Sequence, residues 1–164
     1  WYNRRKDKIN YYLDVAKEVA ARSTCLRRKY GAVIVNNDEI IATGYNGAPR
    51  GRKNCDELGF CYREKLNINR GERYELCRSV HAEQNAIISA ARKDIIGGTM
   101  FITGINVKTN EVEPHSTSCI MCKRVVINSG IKEVIVREPN NEYTIYNVED
   151  WIENDDSLDG SLGY

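Results

Sequence analysis

The chain has 164 residues with 24 basic and 23 acidic side chains, so its formal net charge is +1. This length favours one compact domain, which we expect over residues 1–154, followed by a flexible acidic tail at 155–164. The balanced charge argues against a long nucleic-acid groove or a membrane surface. No apolar run approaches the roughly 20 residues of a membrane helix, and no signal peptide is recognisable, so we expect a cytoplasmic protein.

The first half of the chain predicts a helix, a hairpin and two polar segments. Apolar residues recur at helical spacing over 6–22. Two β-branched runs, 31–35 and 39–43, flank the turn sequence Asn-Asn-Asp and predict a hairpin. The segment 44–53 is rich in glycine and is expected to be a loop, and 54–78 is polar, weakly periodic and contains three cysteines.

The second half alternates helices and strands. Helices are predicted at 82–92, 119–128 and near 148–152, and strands at 99–103, 131–137 and 143–146, with a polar insertion at 104–117. Alternation of this kind after an initial hairpin predicts an α/β protein with a mixed sheet that is covered by helices.

Two short motifs stand at predicted helix starts and contain residue types that bind zinc. His81 and Glu83 form a His-x-Glu motif, and Cys119 and Cys122 form a Cys-x-x-Cys motif. Cysteines three apart share one face of a helix, whereas residues two apart do not. His81 and Glu83 can therefore converge only on a site beyond the N-terminus of their helix. The positive end of a helix also lowers the pKa of cysteine, and the thiolate is the form that binds metal.

One imidazole and two thiolates make three ligands, the number that a catalytic zinc site uses while it keeps a position for water. Zinc lowers the pKa of such a water from 15.7 to about 7, which supplies a nucleophile for attack on a cytosine ring carbon. Glu83 is left over and is predicted to act as general acid and base. The combination is typical of zinc-dependent nucleobase deaminases. The alternative is that Cys119 and Cys122 are small core residues and His81 is a hydrogen-bonded core histidine.

With these motifs, the sequence Gly44-Tyr45-Asn46-Gly47-Ala48-Pro49-Arg50-Gly51 resembles the cytidine and deoxycytidylate deaminase superfamily, in particular its bacterial and phage deoxycytidylate deaminases. The resemblance covers roughly residues 8–137. It implies a three-layer fold around a mixed five-stranded sheet, a homo-oligomer that is often a hexamer, and hydrolysis of dCMP to dUMP. It also implies that His81, Cys119 and Cys122 bind the catalytic zinc and that Glu83 shuttles protons.

The resemblance implies two substrate contacts as well. Asn46 would hold the nucleotide, and the backbone of Ala82 would read the cytosine amine. Taken alone, Asn46 would be interpreted as a turn residue. The proline that the family has before its first cysteine is Ser118 here. Serine is a good N-cap, so we expect its hydroxyl to accept a backbone N–H bond and preserve the helix start.

The four other cysteines, Cys25, Cys55, Cys61 and Cys77, resemble the structural zinc site of bacterial and phage deoxycytidylate deaminases. Structural zinc contributes about 10–16 kcal/mol in small peptides, against about 2–5 kcal/mol for a disulfide that the cytosol opposes. The alternative is four buried free thiols. We therefore expect two zinc ions, one catalytic and one structural.

A basic run, Arg50, Arg52 and Lys53, ends the glycine-rich loop, and Arg50 is our predicted contact to the substrate phosphate. The alternatives are a solvated surface, or a loop that binds a regulatory nucleotide such as dCTP or dTTP. Two other functions stay open. A tRNA adenosine deaminase would be expected to present a basic face, and a non-catalytic zinc-binding module would not need Glu83.

Overall fold

The computed structural model describes residues 5–69, 73, 76–114, 118 and 120–155. The helices are α1 Lys8–Ala20, α2 Cys55–Leu58, α3 Tyr62–Lys65, α4 Ala82–Ile88, α5 Arg92–Ile95, α6 Ile120–Ser129 and α7 Val148–Glu153. The strands are β1 Arg28–Asn36, β2 Glu39–Tyr45, β3 Thr99–Asn106, β4 Glu133–Arg137 and β5 Tyr143–Asn147. The predicted tail at 155–164 lies outside the described residues except for Asp155. No helix in the described ranges is long and apolar enough to cross a membrane.

The predicted hairpin is confirmed. β1 and β2 are joined by Asn37 and Asp38, whose φ angles are 51° and 61°. Positive φ at both central residues is the geometry of the two-residue turn that matches the twist of a hairpin, and asparagine and aspartate tolerate it. The local sequence therefore determines this connection.

The strands form one five-stranded sheet in the order β2-β1-β3-β4-β5. β3 and β4 are parallel, and the other three neighbouring pairs are antiparallel. The predicted mixed five-stranded sheet is thus confirmed. β1 is the second strand in this order and lies between β2 and β3. The glycine-rich loop follows β2, so β1 is an inner strand on the side of the sheet from which this loop extends.

Helices cover both faces of the sheet and make three layers. Alternate residues of β1 point to opposite faces. Val33 and Val35 pack in a cluster with α1, whereas Ala32 and Ile34 pack in a second cluster with residues of α4, α5, α6 and α7. Burial on both faces explains why β1 is an uninterrupted apolar run rather than an alternating one.

The structure differs from the predicted elements in three places. β3 continues to Asn106, three residues into the segment that was expected to be a polar insertion. The single helix expected over 82–92 is two helices, because the chain turns after Ile88 and Ala91 is extended at φ −84° and ψ 135°. Ile88 is 71% exposed at this break, so the end of α4 is not buried. The polar segment 54–78 contains α2 and α3, which are too short for a helical period to be visible in the sequence.

Candidate metal and nucleotide site

The first motif lies where the sequence predicts it, at the start of α4. His81 is the N-cap residue, extended at φ −71° and ψ 155°, and its backbone N–H donates to the side-chain oxygen of Gln84 at 3.1 Å. Val80, immediately before it, exchanges two backbone hydrogen bonds with Gly47, of 3.2 and 2.7 Å. The glycine-rich loop is therefore fastened beside the first motif.

Gly44 allows α4 to lie close to β2. A Cβ at this position would come within 2.6 Å of the carbonyl oxygen of Ala82 and would also overlap the backbone of Ala86. The side-chain amide of Asn85 donates to the carbonyl of Tyr45 at 2.8 Å and fastens the same helix to the end of β2. Close backbone packing of this kind requires glycine. The resulting contact between α4 and β2 fixes the position of the helix start that carries His81 and Glu83.

His81, Glu83 and Cys122 converge, as the sequence predicts. Their donor atoms all lie within 4.8 Å of one another, and the Nδ1 atom of His81 is 3.1 Å from the Sγ atom of Cys122. Glu83 is 6% exposed and Cys122 is fully buried. Imidazole nitrogen and thiolate sulfur are the donors that zinc prefers in proteins. The donor set therefore fits a zinc ion. Cys119, the other predicted ligand, lies outside the described residues.

Ser118 does not make the capping bond that we predicted. Ser118 lies shortly before α6, whose described residues run from Ile120 to Ser129. Ser118 is 1% exposed, and its hydroxyl has no hydrogen-bond partner in the part of the chain that the structure describes. The predicted bond from the Ser118 hydroxyl to a backbone N–H is therefore wrong for the described part of the chain.

The four early cysteines are brought near one another. None of them forms a disulfide. Burial raises the pKa of the Cys55 thiol, and the nearby Cys25, Cys77 and Cys61 raise it further. Burial likewise raises the pKa of Cys77, while hydrogen bonds from Ser79 act in the opposite direction. Among the described residues, no three of these sulfur atoms come within 4.8 Å of one another, so the structural zinc site stays a prediction.

The buried side chain of Asn46 links the glycine-rich loop to β1 through hydrogen bonds, a structural role that the sequence did not reveal. Its side-chain oxygen accepts from the hydroxyl of Ser23 at 2.5 Å and from the backbone N–H of Tyr30 at 2.8 Å. Its amide nitrogen donates to the carbonyl of Arg28 at 2.9 Å. Asn46 is only 7% exposed. The side chain therefore determines the path of the loop, whether or not it also contacts a nucleotide.

The end of β3 and the chain that follows it are held to β1 by side-chain contacts. The Nε atom of Arg28 donates to the carboxylate of Glu113 at 2.9 Å, and the side-chain amide of Asn106 donates to the same oxygen at 2.8 Å. Glu113 is 6% exposed. The two members of this ion pair are 85 residues apart, so no local pattern predicts it. It holds the chain that leads towards α6 against β1.

A pocket of about 520 Å³ lies near the three donors, although none of the three is among its described lining residues. Val80, Gln84 and Met121, each adjacent in sequence to one of the donors, contribute to its lining. Arg52 and Arg78 supply its positive charge, and no acidic side chain is among its described lining residues. Its volume is within the usual range of small-molecule sites. Arg50, the predicted phosphate contact, is exposed and is not among the described residues of this lining.

Comparison with known proteins identifies the family. Residues 6–138 match the family model described as the cytidine and deoxycytidylate deaminase zinc-binding region. The chain is 35% identical over 135 residues to the deoxycytidylate deaminase of Mycobacterium phage D29, covering 80% of this chain and 94% of that protein. It is 33% identical over 132 residues to the Schizosaccharomyces pombe deoxycytidylate deaminase, which covers 80% of this chain but only 37% of the yeast protein.

Solved structures agree with this assignment. The crystal structure of a dCMP deaminase from the cyanophage S-TIM5, in complex with dCMP and dUMP, aligns with a TM-score of 0.59 and 29% identity over 92% of this chain and 91% of that one. A cytidine deaminase from Burkholderia pseudomallei, 17% identical over 84% of this chain and 91% of that one, shares the fold with a TM-score of 0.54. On its sequence, its fold and the position of its donor residues, the chain belongs to the cytidine and deoxycytidylate deaminase family.

Proposed function

We propose that this chain is a zinc-dependent deaminase that converts dCMP to dUMP. The observation that carries the proposal is the convergence of His81, Glu83 and Cys122 beside a pocket of nucleotide size. The likeness to a phage enzyme whose crystal structure contains dCMP and dUMP supports the substrate. The buried carboxylate of Glu83 speaks against a non-catalytic zinc module, and the net charge of +1 speaks against a nucleic-acid substrate.

The catalytic zinc would be held by His81, Cys119 and Cys122. When bound, zinc supplies Lewis acidity that makes a water molecule a competent nucleophile near neutral pH. Two thiolates and one imidazole leave a position open, as catalytic zinc sites do. The start of α6 adds the positive partial charge of its unpaired N–H groups, which favours the thiolate form of the two cysteines.

Glu83 would move the protons of the reaction. Its carboxylate would take one proton from the attacking water and deliver it to the cytosine ring nitrogen. It would then transfer the remaining hydroxyl proton to the amine, which leaves as ammonia. The side chain is 6% exposed, so it is shielded from exchange with bulk water. Its position in the first turn of α4 keeps its oxygen within 4.8 Å of the two metal-binding atoms.

Two further residues would hold the base and the sugar. Ala82, buried at the first position of α4, would present its backbone to the cytosine, because the first N–H groups of a helix have no intrahelical acceptor. Asn46 carries two amide N–H groups, and one of them donates to Arg28. The other is the group that we assign to the nucleotide.

The finer parts of the prediction complete the proposal. A second, structural zinc would be bound by Cys25, Cys55, Cys61 and Cys77, which are close enough for Cys25 and Cys61 to raise the pKa values of Cys55 and Cys77. A homo-oligomer, regulation by dCTP or dTTP, and a cytoplasmic location stay predictions.

A substrate panel tests the function. Purified zinc-containing protein is assayed for ammonia release from cytidine, CMP, dCMP and dCTP at equal concentrations. We expect the highest kcat/KM with dCMP and loss of turnover after zinc is removed with a chelator. Turnover restricted to a tRNA substrate, or none with any pyrimidine nucleotide, would contradict the proposal.

A further inference from the structure

A buried serine contacts the side chain that we assign to the nucleotide. Ser23 is 5% exposed and follows α1, where its backbone N–H donates to the carbonyl of Ala20 at 3.0 Å. Helix α1 packs tightly on β1, because a Cβ at Gly31 would overlap the carbonyl of Ala16. Ser23 is therefore held by a well-packed helix, and the proposed mechanism gives it no role.

The hydrogen bonds around Ser23 determine where its hydroxyl points. Its Oγ atom accepts from the backbone N–H of Cys25 at 3.3 Å. On the other side, the side-chain oxygen of Asn46 lies 2.5 Å from Oγ, and the carbonyl oxygen of Asn46 lies 2.8 Å from it. A hydroxyl has only one hydrogen to donate. The single donor of Ser23 is therefore directed to Asn46.

The orientation of the Asn46 amide follows from its partners. Its oxygen accepts from Ser23 and from the backbone N–H of Tyr30, and its nitrogen donates to the carbonyl of Arg28. A flipped amide would place N–H against N–H at Tyr30 and oxygen against oxygen at Arg28, so it is disfavoured. The bonds to Tyr30 and Arg28 come from one strand, whereas the bond from Ser23 comes from a second element and restricts rotation of the amide about that strand.

The two neighbours of Asn46 are attached to the segment that carries the catalytic residues. The carbonyl of Tyr45 accepts from the side-chain amide of Asn85 in α4, and Gly47 exchanges two backbone hydrogen bonds with Val80. Asn46 is thus held between two contacts to the start of α4 and its approach. A small rotation of its amide would therefore change how a substrate is held beside this helix.

We propose that Ser23 is a positioning residue for the deamination: its hydroxyl holds the amide of Asn46 so that the second N–H of that amide meets the sugar of the nucleotide. The inference rests on the proposed function and on the nucleotide contact assigned to Asn46. The sugar of dCMP has one free hydroxyl, at the 3′ position, because the 2′ position carries hydrogen and the 5′ oxygen carries phosphate. That hydroxyl can accept from an amide N–H. Ser23 thus contributes to sugar recognition without touching the substrate.

The test compares two substrates that differ only in this hydroxyl, dCMP and 2′,3′-dideoxycytidine 5′-monophosphate. We measure kcat/KM for both in the wild type, Ser23→Ala, Ser23→Thr and Ser129→Ala. The wild type should prefer dCMP by about 10-fold, the effect of one hydrogen bond, and the preference should fall to within about 3-fold in Ser23→Ala. Ser23→Thr keeps a hydroxyl and should retain most of the preference.

Ser129→Ala is the matched control. Ser129 is also 5% exposed, donates to the carbonyl of Val126 at 2.6 Å and accepts from the backbone N–H of Ile131 at 3.4 Å. It repeats the bonding pattern of Ser23 at the end of α6, with partners outside the glycine-rich loop. Its variant should lose similar stability and keep the substrate preference of the wild type.

Each alternative has a distinct result. The ratio of two kcat/KM values in one preparation does not depend on the folded fraction, so the comparison holds even if Ser23→Ala is less stable. An equal loss for both substrates in Ser23→Ala would show a purely structural serine and overturn the inference. A wild type that does not distinguish the two substrates would overturn it without any variant. Failure of the wild type to deaminate dCMP would instead overturn the proposed function.

Discussion

The buried side chain of Asn46 offers the sharpest test of how the site is built. Asn46→Ala removes three hydrogen bonds at once, to Ser23, Tyr30 and Arg28. At about 1 kcal/mol net for each bond, the loss is about 3 kcal/mol, and desolvation of the groups left behind adds to it. For a chain of this size we expect Tm to fall by about 6–12 °C.

Asn85→Ala is the matched control, because its amide makes one hydrogen bond, to the carbonyl of Tyr45, at the end of the same loop. One bond predicts a loss of about 1 kcal/mol and about 2–4 °C in Tm. Thermal unfolding of both variants and the wild type, at equal zinc content, measures the ratio. Equal Tm values for Asn46→Ala and Asn85→Ala would refute the reasoning that the hydrogen bonds of Asn46 contribute most to holding the loop in place.

Four other outcomes are expected. Glu83→Gln should lower kcat by at least about 10²–10⁴, while elemental analysis finds the catalytic zinc still bound. Near-normal turnover would contradict the role of Glu83 as general acid and base. Loss of the metal would instead show that Glu83 is a zinc ligand. Wild-type protein should contain two zinc ions per chain and Cys55→Ser one, with a lower Tm; one ion in the wild type would remove the structural site. Gly44→Ala places a Cβ within 2.6 Å of a carbonyl oxygen of α4. The resulting overpacking should lower the free energy of unfolding, measured with denaturant, by about 1–3 kcal/mol and should displace the site. An unchanged denaturation midpoint would contradict this close packing. Asp7 is the N-cap residue of α1, and side-chain and backbone hydrogen bonds from Asn10 hold its pKa below the usual value. The loss of unfolding free energy in Asp7→Ala should therefore be largest above about pH 3.9 and vanish as pH falls through the lowered pKa. A loss that does not depend on pH would argue against this N-cap.

Local sequence chemistry determined a large part of the molecule. The two-residue turn at Asn37 and Asp38 follows from residues that tolerate positive φ. The β-branched run of β1 and the glycine after α6 are readable in the same way, because each depends on neighbours along the chain. The sequence also placed His81 and Glu83 at the start of a helix, whereas their convergence with Cys122, 41 residues further along the chain, depends on the packing of α6 beside α4.

Tertiary structure decided the features that depend on distant partners. Three sets of contacts join segments between 16 and 85 residues apart: the bonds of Asn46 to β1, the ion pair of Arg28 with Glu113, and the hydrogen bond of Arg78 to the carbonyl of Lys53. The break between α4 and α5 likewise differs from the helical pattern. The physical reason is that periodicity and capping record the environment along one element, whereas a buried polar contact depends on which other element the fold brings against it.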